Sequence, residues 1–339
     1  MKTKRYFKGL LNYLRRADIL LWLILAAISV YSLLLLKSVS VATETDYFRT
    51  QLFAIGLGVA GAIIITLIDY TEICNFWYLI AGFSVFLMIY TYLFAESVTG
   101  SDGVDARAWI SIAGRTFQSS ELVKIAFMLT FAKHLDILKK KGRINEPVQV
   151  VLLAMHALVP VMLCHLQGDD GAGIVFFAMF IFMSLSAGIQ LRYFAILGGI
   201  VLIAAPILWK FVLSEYQKKR FTAVSNLENE AVQLDEGYQQ YQGRISIGSG
   251  GLTGEGLFNG SRVASQSVTF QQSDFIFSVA GEELGFVGCV LIIVLLLLLM
   301  IKVLHVAHSS RDDLGKYICY GFFGMIALQS VSNVGMCLA

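Results

Sequence analysis

Residues 287–301 read VGCVLIIVLLLLLMI, an uncharged apolar run that most plainly spans a membrane as helix. A spanning helix needs about 20 largely apolar residues. Just upstream, TFQQSDFIFSVAGEELGF (269–286) carries Asp274, Glu282 and Glu283 into the mouth of that run. A charge near the bilayer centre costs about 2.5–3.5 kcal/mol on the gentlest scale. These acids must therefore face protein or water.

The pattern repeats along the chain. Its 339 residues are 57% apolar and only 15% charged, and the mean hydropathy is +0.70. Soluble domains carry roughly 25% charged residues, so the composition excludes a soluble enzyme and predicts an all-α, polytopic transmembrane helical bundle. Spans are expected near 18–37, 52–68, 75–95, 118–136, 148–165, 171–188, 191–209, 275–303 and 315–338, which makes nine.

Lys and Arg orient them. The N-terminal arm holds six (Lys2, Lys4, Arg5, Lys8, Arg15, Arg16), the 133–147 connection holds five, and 302–316 adds Lys302, Arg311 and Lys316. All fall on one side of nine alternating spans, whereas the short loops 38–51, 96–117 and 166–170 hold three together. The positive-inside rule then puts the N-terminus in the cytoplasm. The basic arm and first span lack a convincing small-residue cleavage site, so they are read as a retained helix.

Residues 210–274 form a large extracytoplasmic loop without obvious secondary structure; loops of this length are usually functional or disordered. Its glycine cluster at 248–256 suits a flexible linker or close backbone approach to a ligand. The five cysteines (Cys74, Cys164, Cys289, Cys319, Cys337) show no CxxC or Cys/His metal spacing and mostly sit in or beside apolar runs, as small apolar filler.

The unexplained polar residues gather on the outer side. Glu121 and Lys124 stand i, i+3 in QSSELVKIAFM and can pair. Trp109, upstream in the 96–117 loop, suits an interfacial anchor, and Asp169 and Asp170 suit a solvated turn. On a helix, Asp274, Ser278 and Glu282 recur every four residues, while Gly281 and Gly285 make a small-xxx-small packing surface. Basic partners for the buried acids are expected from Lys124 or Arg220. Together these features describe an outward-facing, acid-lined cavity and do not name its substrate.

Five stretches resemble, in order, the landmarks of the SEDS family typified by RodA and FtsW, with RodA the nearer. They are ARAWISIAGRTFQSSELVKI (106–125), QGDDGAG (167–173), EYQKKRF (215–221), GYQQYQGRISIGSGGLTGEGLF (237–258) and SDFIFSVAGEELGFVG (273–288). The resemblance implies a single transmembrane domain over 1–339, with ten spans expected for the family and the last lying beyond NVGMCLA. It implies a peptidoglycan glycosyltransferase of the bacterial cytoplasmic membrane, polymerising lipid II for elongation or division beside a class B penicillin-binding transpeptidase. No nucleic-acid partner and no organic cofactor are implied; a divalent cation, Mg or Mn, is compatible.

Carried over by motif, Asp274 is the essential acid, a general base on the acceptor hydroxyl in an inverting transfer. Trp109, Glu121, Lys124, Asp169, Arg220, Glu282 and Glu283 support substrate. Lys124 and Arg220 serve the pyrophosphate leaving group, and the glutamate pair orients and neutralises basic residues. The chain departs from the family pattern at Ser119 and Gly168, at Asp170, and at Gln271, Gln272 and Ser273.

Two rival readings remain open at this level. One is a proton-coupled lipid II flippase, which buried acids suit but which needs matched broken helices in two halves of the chain. The other is a non-catalytic scaffold for the transpeptidase, which would have no use for a costly acid at Asp274.

Overall fold

The computed structural model describes residues 18–95, 98–99, 105–112, 115–211 and 237–338, with Lys218, Thr222, Asn229 and Val232. In chain order the elements are α1 (Ile19–Thr43), α2 (Tyr47–Thr66), α3 (Tyr70–Asn75), α4 (Trp77–Phe94), the short strands β1 (Val98–Thr99) and β2 (Asp105–Ala106), β3 (Trp109–Ile112) and β4 (Arg115–Gln118). Then come α5 (Ser119–Lys140), α6 (Pro147–Leu166), α7 (Asp170–Ala187), α8 (Leu191–Phe211), α9 (Tyr238–Ser249), α10 (Ser261–Ala264), α11 (Ile276–His308) and α12 (Asp313–Leu338). All nine expected spans are helices.

Eight helices among the described residues are long and apolar enough to cross a membrane. The protein is a multi-pass membrane protein. The ninth long helix, α5, falls outside that set because Glu121, Lys124, Lys133, Asp136, Lys139 and Lys140 dilute it. Burial resolves the conflict. Neighbours α3, α4, α6 and α7 pack around α5, and Lys124 and Asp136 are 1% and 3% exposed. Helix α2 has no buried residue, and none of the described side chains of α8 is buried.

The chain divides into two compact units. The first comprises 1–60, 219–302 and 333–339; the second comprises 61–218 and 303–332. The core of the second is aromatic and sulfur-rich. Phe127 meets Phe176 edge-on at 5.5 Å and Phe131 meets Phe180 at 5.7 Å, with Met128, Met179 and Met183 filling between them. Helix ends are closed by named side chains. Asp18 caps α1 through Leu21 N–H at 3.2 Å and pairs with Lys302 at 2.6 Å. Lys139 donates to the Ala187 carbonyl at 3.0 Å, where the last carbonyls of α7 would otherwise lack partners.

Two expectations are corrected here. The 96–117 connection contains antiparallel pairs, β1 with β2 and β3 with β4. The 210–274 loop is not structureless, because from residue 238 it holds α9, α10 and a close-packed glycine segment. The five cysteines are free, and all but Cys319 are buried.

Candidate active site

The centre of the first unit is a broken helix. Gly285 takes φ 66, ψ −162 inside α11, a conformation open to glycine and strained for other residues. A continuous α-helix would bond the N–H of 286 and 287 to the carbonyls of 282 and 283. The break frees all four groups, and residues 251–256 take them up. Glu255 and Gly256 donate to the Glu282 and Glu283 carbonyls at 2.9 and 3.0 Å, and Phe286 and Val287 donate to Gly251 and Leu252 at 2.9 and 3.2 Å. Irregular backbone at membrane depth is tolerated only when protein satisfies it in this way.

Such exchange needs bare backbone on both sides. A Cβ on Gly250 would lie 2.0 Å from the Gly281 carbonyl, and one on Gly254 would lie 2.1 Å from that of Glu283. Gly281 in turn abuts Ile247 of α9, whose Cα would stand 3.0 Å from an added Cβ. The small-residue surface of α11 thus packs against the glycine cluster and α9.

Glu282 and Glu283 are 1% and 0% exposed, and among the described residues their contacts are with main-chain N–H groups and a hydroxyl. Glu282 Oε1 accepts from the Arg262 and Val263 backbone N–H at 2.6 and 3.1 Å, fixing α10. Glu283 Oε1 accepts from the Ser38 hydroxyl of α1. The second oxygen of each carboxylate is buried without a hydrogen bond. Arg262 spends its guanidinium on Ser246 at 3.0 Å and on Gln242. These clamps hold the loop on the broken helix.

Asp274 lies in a turn before α11 begins, so the four-residue spacing does not place it on the helix with Ser278 and Glu282. Unlike the two glutamates it is exposed. Its main chain is fixed, since its carbonyl accepts from Asn333 Nδ2 at 3.0 Å and Cys337 Sγ at 3.5 Å. Buried Gln271 anchors the same turn by donating to the Val263 carbonyl at 3.3 Å. The result is an exposed residue on a backbone held by hydrogen bonds.

The amino-acid sequence aligns with known proteins over nearly its whole length. Residues 14–339 match the family of cell cycle proteins that groups FtsW, RodA and SpoVE. The chain belongs to this family. The peptidoglycan glycosyltransferase MrdB of Escherichia coli K12 is 29% identical over 318 residues, covering 93% of this chain and 82% of MrdB. A probable peptidoglycan glycosyltransferase FtsW of Geobacter metallireducens is 28% identical over 344 residues, 97% of this chain and 88% of its own length. The crystal structure of the rod shape determining protein RodA from Thermus thermophilus superposes with a TM-score of 0.67 at 25% identity, covering 96% of this chain and 86% of that one.

Four further candidate residues of this FtsW/RodA/SpoVE protein, Trp109, Glu121, Lys124 and Asp169, lie in the second unit. Lys124 Nζ meets Glu121 Oε1 at 2.7 Å, with the lysine side chain 1% exposed and the glutamate 51%. The expected pair is present, and it is lopsided. Asp169 caps α7 through Ala172 N–H at 3.1 Å. Its other oxygen accepts from Gln118 at 2.6 Å and Ser120 at 3.2 Å. Asp170 is an exposed partner of His165 at 2.7 Å. Trp109, 40% exposed, sits opposite Gln118 in the β3–β4 register. Arg220 lies outside the described residues. Gln118 and Ser38 were invisible to motif reading, because each acts through one long-range hydrogen bond.

Proposed function

We propose that this protein is a peptidoglycan glycosyltransferase that polymerises lipid II on the outer face of the bacterial cytoplasmic membrane, with its N-terminus in the cytoplasm. The observation that carries the reading is the contrast within one motif: Asp274 is exposed on a backbone fixed from three sides, while Glu282 and Glu283 are sealed in. Relatives named as peptidoglycan glycosyltransferases support it.

In this mechanism the Asp274 carboxylate takes the proton from the acceptor sugar's 4-hydroxyl as its oxygen attacks the donor's anomeric carbon. Configuration inverts and the polyprenyl pyrophosphate leaves. A positioned general base typically contributes about 10²–10⁴-fold. Lys124 and Arg220 carry the role of balancing the leaving group's charge, by resemblance to the family's motifs. The partner is a class B penicillin-binding transpeptidase. A solved neighbour, a chain from a peptidoglycan synthase complex, shares the fold with a TM-score of 0.77 at 24% identity.

A divalent cation bound through one or two carboxylates and substrate phosphates would need no dedicated protein cluster. Among the described residues no three His, Cys, Asp or Glu side chains gather, and no step here runs through a metal.

The break at Gly285 adds to the buried acids in favour of the flippase reading, since carriers use discontinuous helices. Carriers of that kind show a matching break in the other half of the chain, and α11 is the one spanning helix among the described residues with non-helical backbone inside it. The deciding experiment is lipid II polymerisation by the purified protein with its transpeptidase, wild type against Asp274→Asn. Polymer from wild type and none from a folded mutant supports the base role. Equal polymer from both removes it. No polymer from either, with lipid II translocation in vesicles, would install the flippase.

A further inference from the structure

Within the second unit, α4, α5 and α6 enclose a cavity of about 270 Å³ that the glycosyl-transfer reading does not use. Its walls include Trp77, Ala81, Val85, Phe127, Val159 and Leu163. Three polar side chains, Ser84, Thr130 and His156, also reach it. Each is satisfied by protein. Ser84 donates to the Ile80 carbonyl at 2.7 Å and Thr130 donates to that of Phe127 at 3.2 Å. With its proton spent, Thr130 accepts from His156 Nε2 at 3.3 Å. The other nitrogen of His156 then accepts from His134 Nδ1 at 3.2 Å, by donor counting. Trp77 stacks on His134 with centroids 6.2 Å apart.

These three side chains are therefore engaged by protein, and the rest of the wall is predominantly apolar. An apolar cavity of about 150 Å³ already stays dry and takes up benzene, and this one is larger. Its helices α4 and α6 are membrane-spanning, and Val159 on its wall is 41% exposed, so the available filler is hydrocarbon. We propose that the cavity is a binding site for one hydrocarbon chain of a membrane lipid, entering beside Val159 between α4 and α6. The chain could be the acyl chain of a phospholipid or the isoprenoid chain of a carrier lipid; the chemistry is shared.

The test is photolabelling of the full chain in phosphatidylglycerol vesicles. One set carries a tracer phospholipid with a diazirine in its acyl chain, the other a diazirine-tagged polyisoprenyl phosphate. Labelled peptides are mapped by mass spectrometry against α8, where Leu202 and Ile203 are 77% and 70% exposed and report bulk lipid contact. Label concentrated on the cavity lining, and lost in Ala81→Phe while α8 labelling persists, is the expected result. The tracer that labels identifies the source. If Ala81→Phe does not fold, Val159→Trp narrows the entry instead and is read the same way. Lining label no stronger than that of α8, or unchanged in the folded filled variant, overturns the proposal. So does a chain-to-chain cross-link from a photoreactive residue at position 159 in place of lipid label, which would give the cavity to a second copy.

Discussion

Gly254 and the Glu283 carbonyl approach so closely that a Cβ on the glycine would sit 2.1 Å from that oxygen. The clash is with backbone, and the carbonyl is already pinned by Gly256 N–H at 3.0 Å. Gly254→Ala should therefore unseat the loop, and its φ of +81 adds strain of about 1–3 kcal/mol. Gly248, with nothing within 4 Å of an added Cβ, is the control inside the same cluster. Gly248→Ala should be neutral or stabilise by about 0.5–1 kcal/mol, since it lies within α9. Thermal unfolding of the detergent-solubilised protein separates the two, and similar losses would contradict the docked loop.

This contact also shows where the sequence was legible and where it was not. Apolar length located all nine long helices, and charge spacing located the Glu121–Lys124 pair, because both signals are local. The glycine cluster and the GEELG segment each announced close approach, with Gly250 and Gly254 spaced like Gly281 and Gly285. That each is the other's neighbour depends on backbone hydrogen bonds crossing about thirty residues of chain, which no periodicity records. The same blindness turned Glu282 and Glu283 into expected ion-pair partners, when among the described residues one oxygen of each is met by main-chain N–H or a serine.

Glu282 offers a sharper test of that correction. Glu282→Ala strips the buried Val263 N–H and the part-buried Arg262 N–H of their acceptor, at about 1–3 kcal/mol for a buried group left unsatisfied. Glu282→Gln retains an acceptor oxygen and should lose far less. Hydrogen exchange of the Arg262 and Val263 amides reads this directly: fast in the alanine variant, protected in the glutamine variant. Asp274→Asn should leave those amides unchanged while abolishing polymerisation, which divides clamp from base.

Asp169 joins α7 to the start of α5, so its loss should exceed that of an ordinary cap. Asp169→Ala costs about 0.5–2 kcal/mol for the cap alone. The contacts to Gln118 and Ser120 add to it. A double-mutant cycle with Gln118→Ala should return a coupling of about 0.5–3 kcal/mol. Strict additivity would mean that the 2.6 Å contact contributes nothing.

The lopsided burial of Lys124 and Glu121 reverses the usual intuition about which half of an ion pair matters for folding. Lys124→Met removes a buried charge and leaves Glu121, 51% exposed, to be solvated. Glu121→Gln leaves the ammonium of Lys124 sealed at 1% exposure without its counter-charge, the case in which breaking a buried pair costs about 3–5 kcal/mol. Glu121→Gln is thus expected to unfold at lower temperature than Lys124→Met. If Lys124 serves the leaving group, activity ranks the other way: Lys124→Met folds and fails to polymerise. Parallel losses of stability and activity in both variants would confine the pair to a structural role.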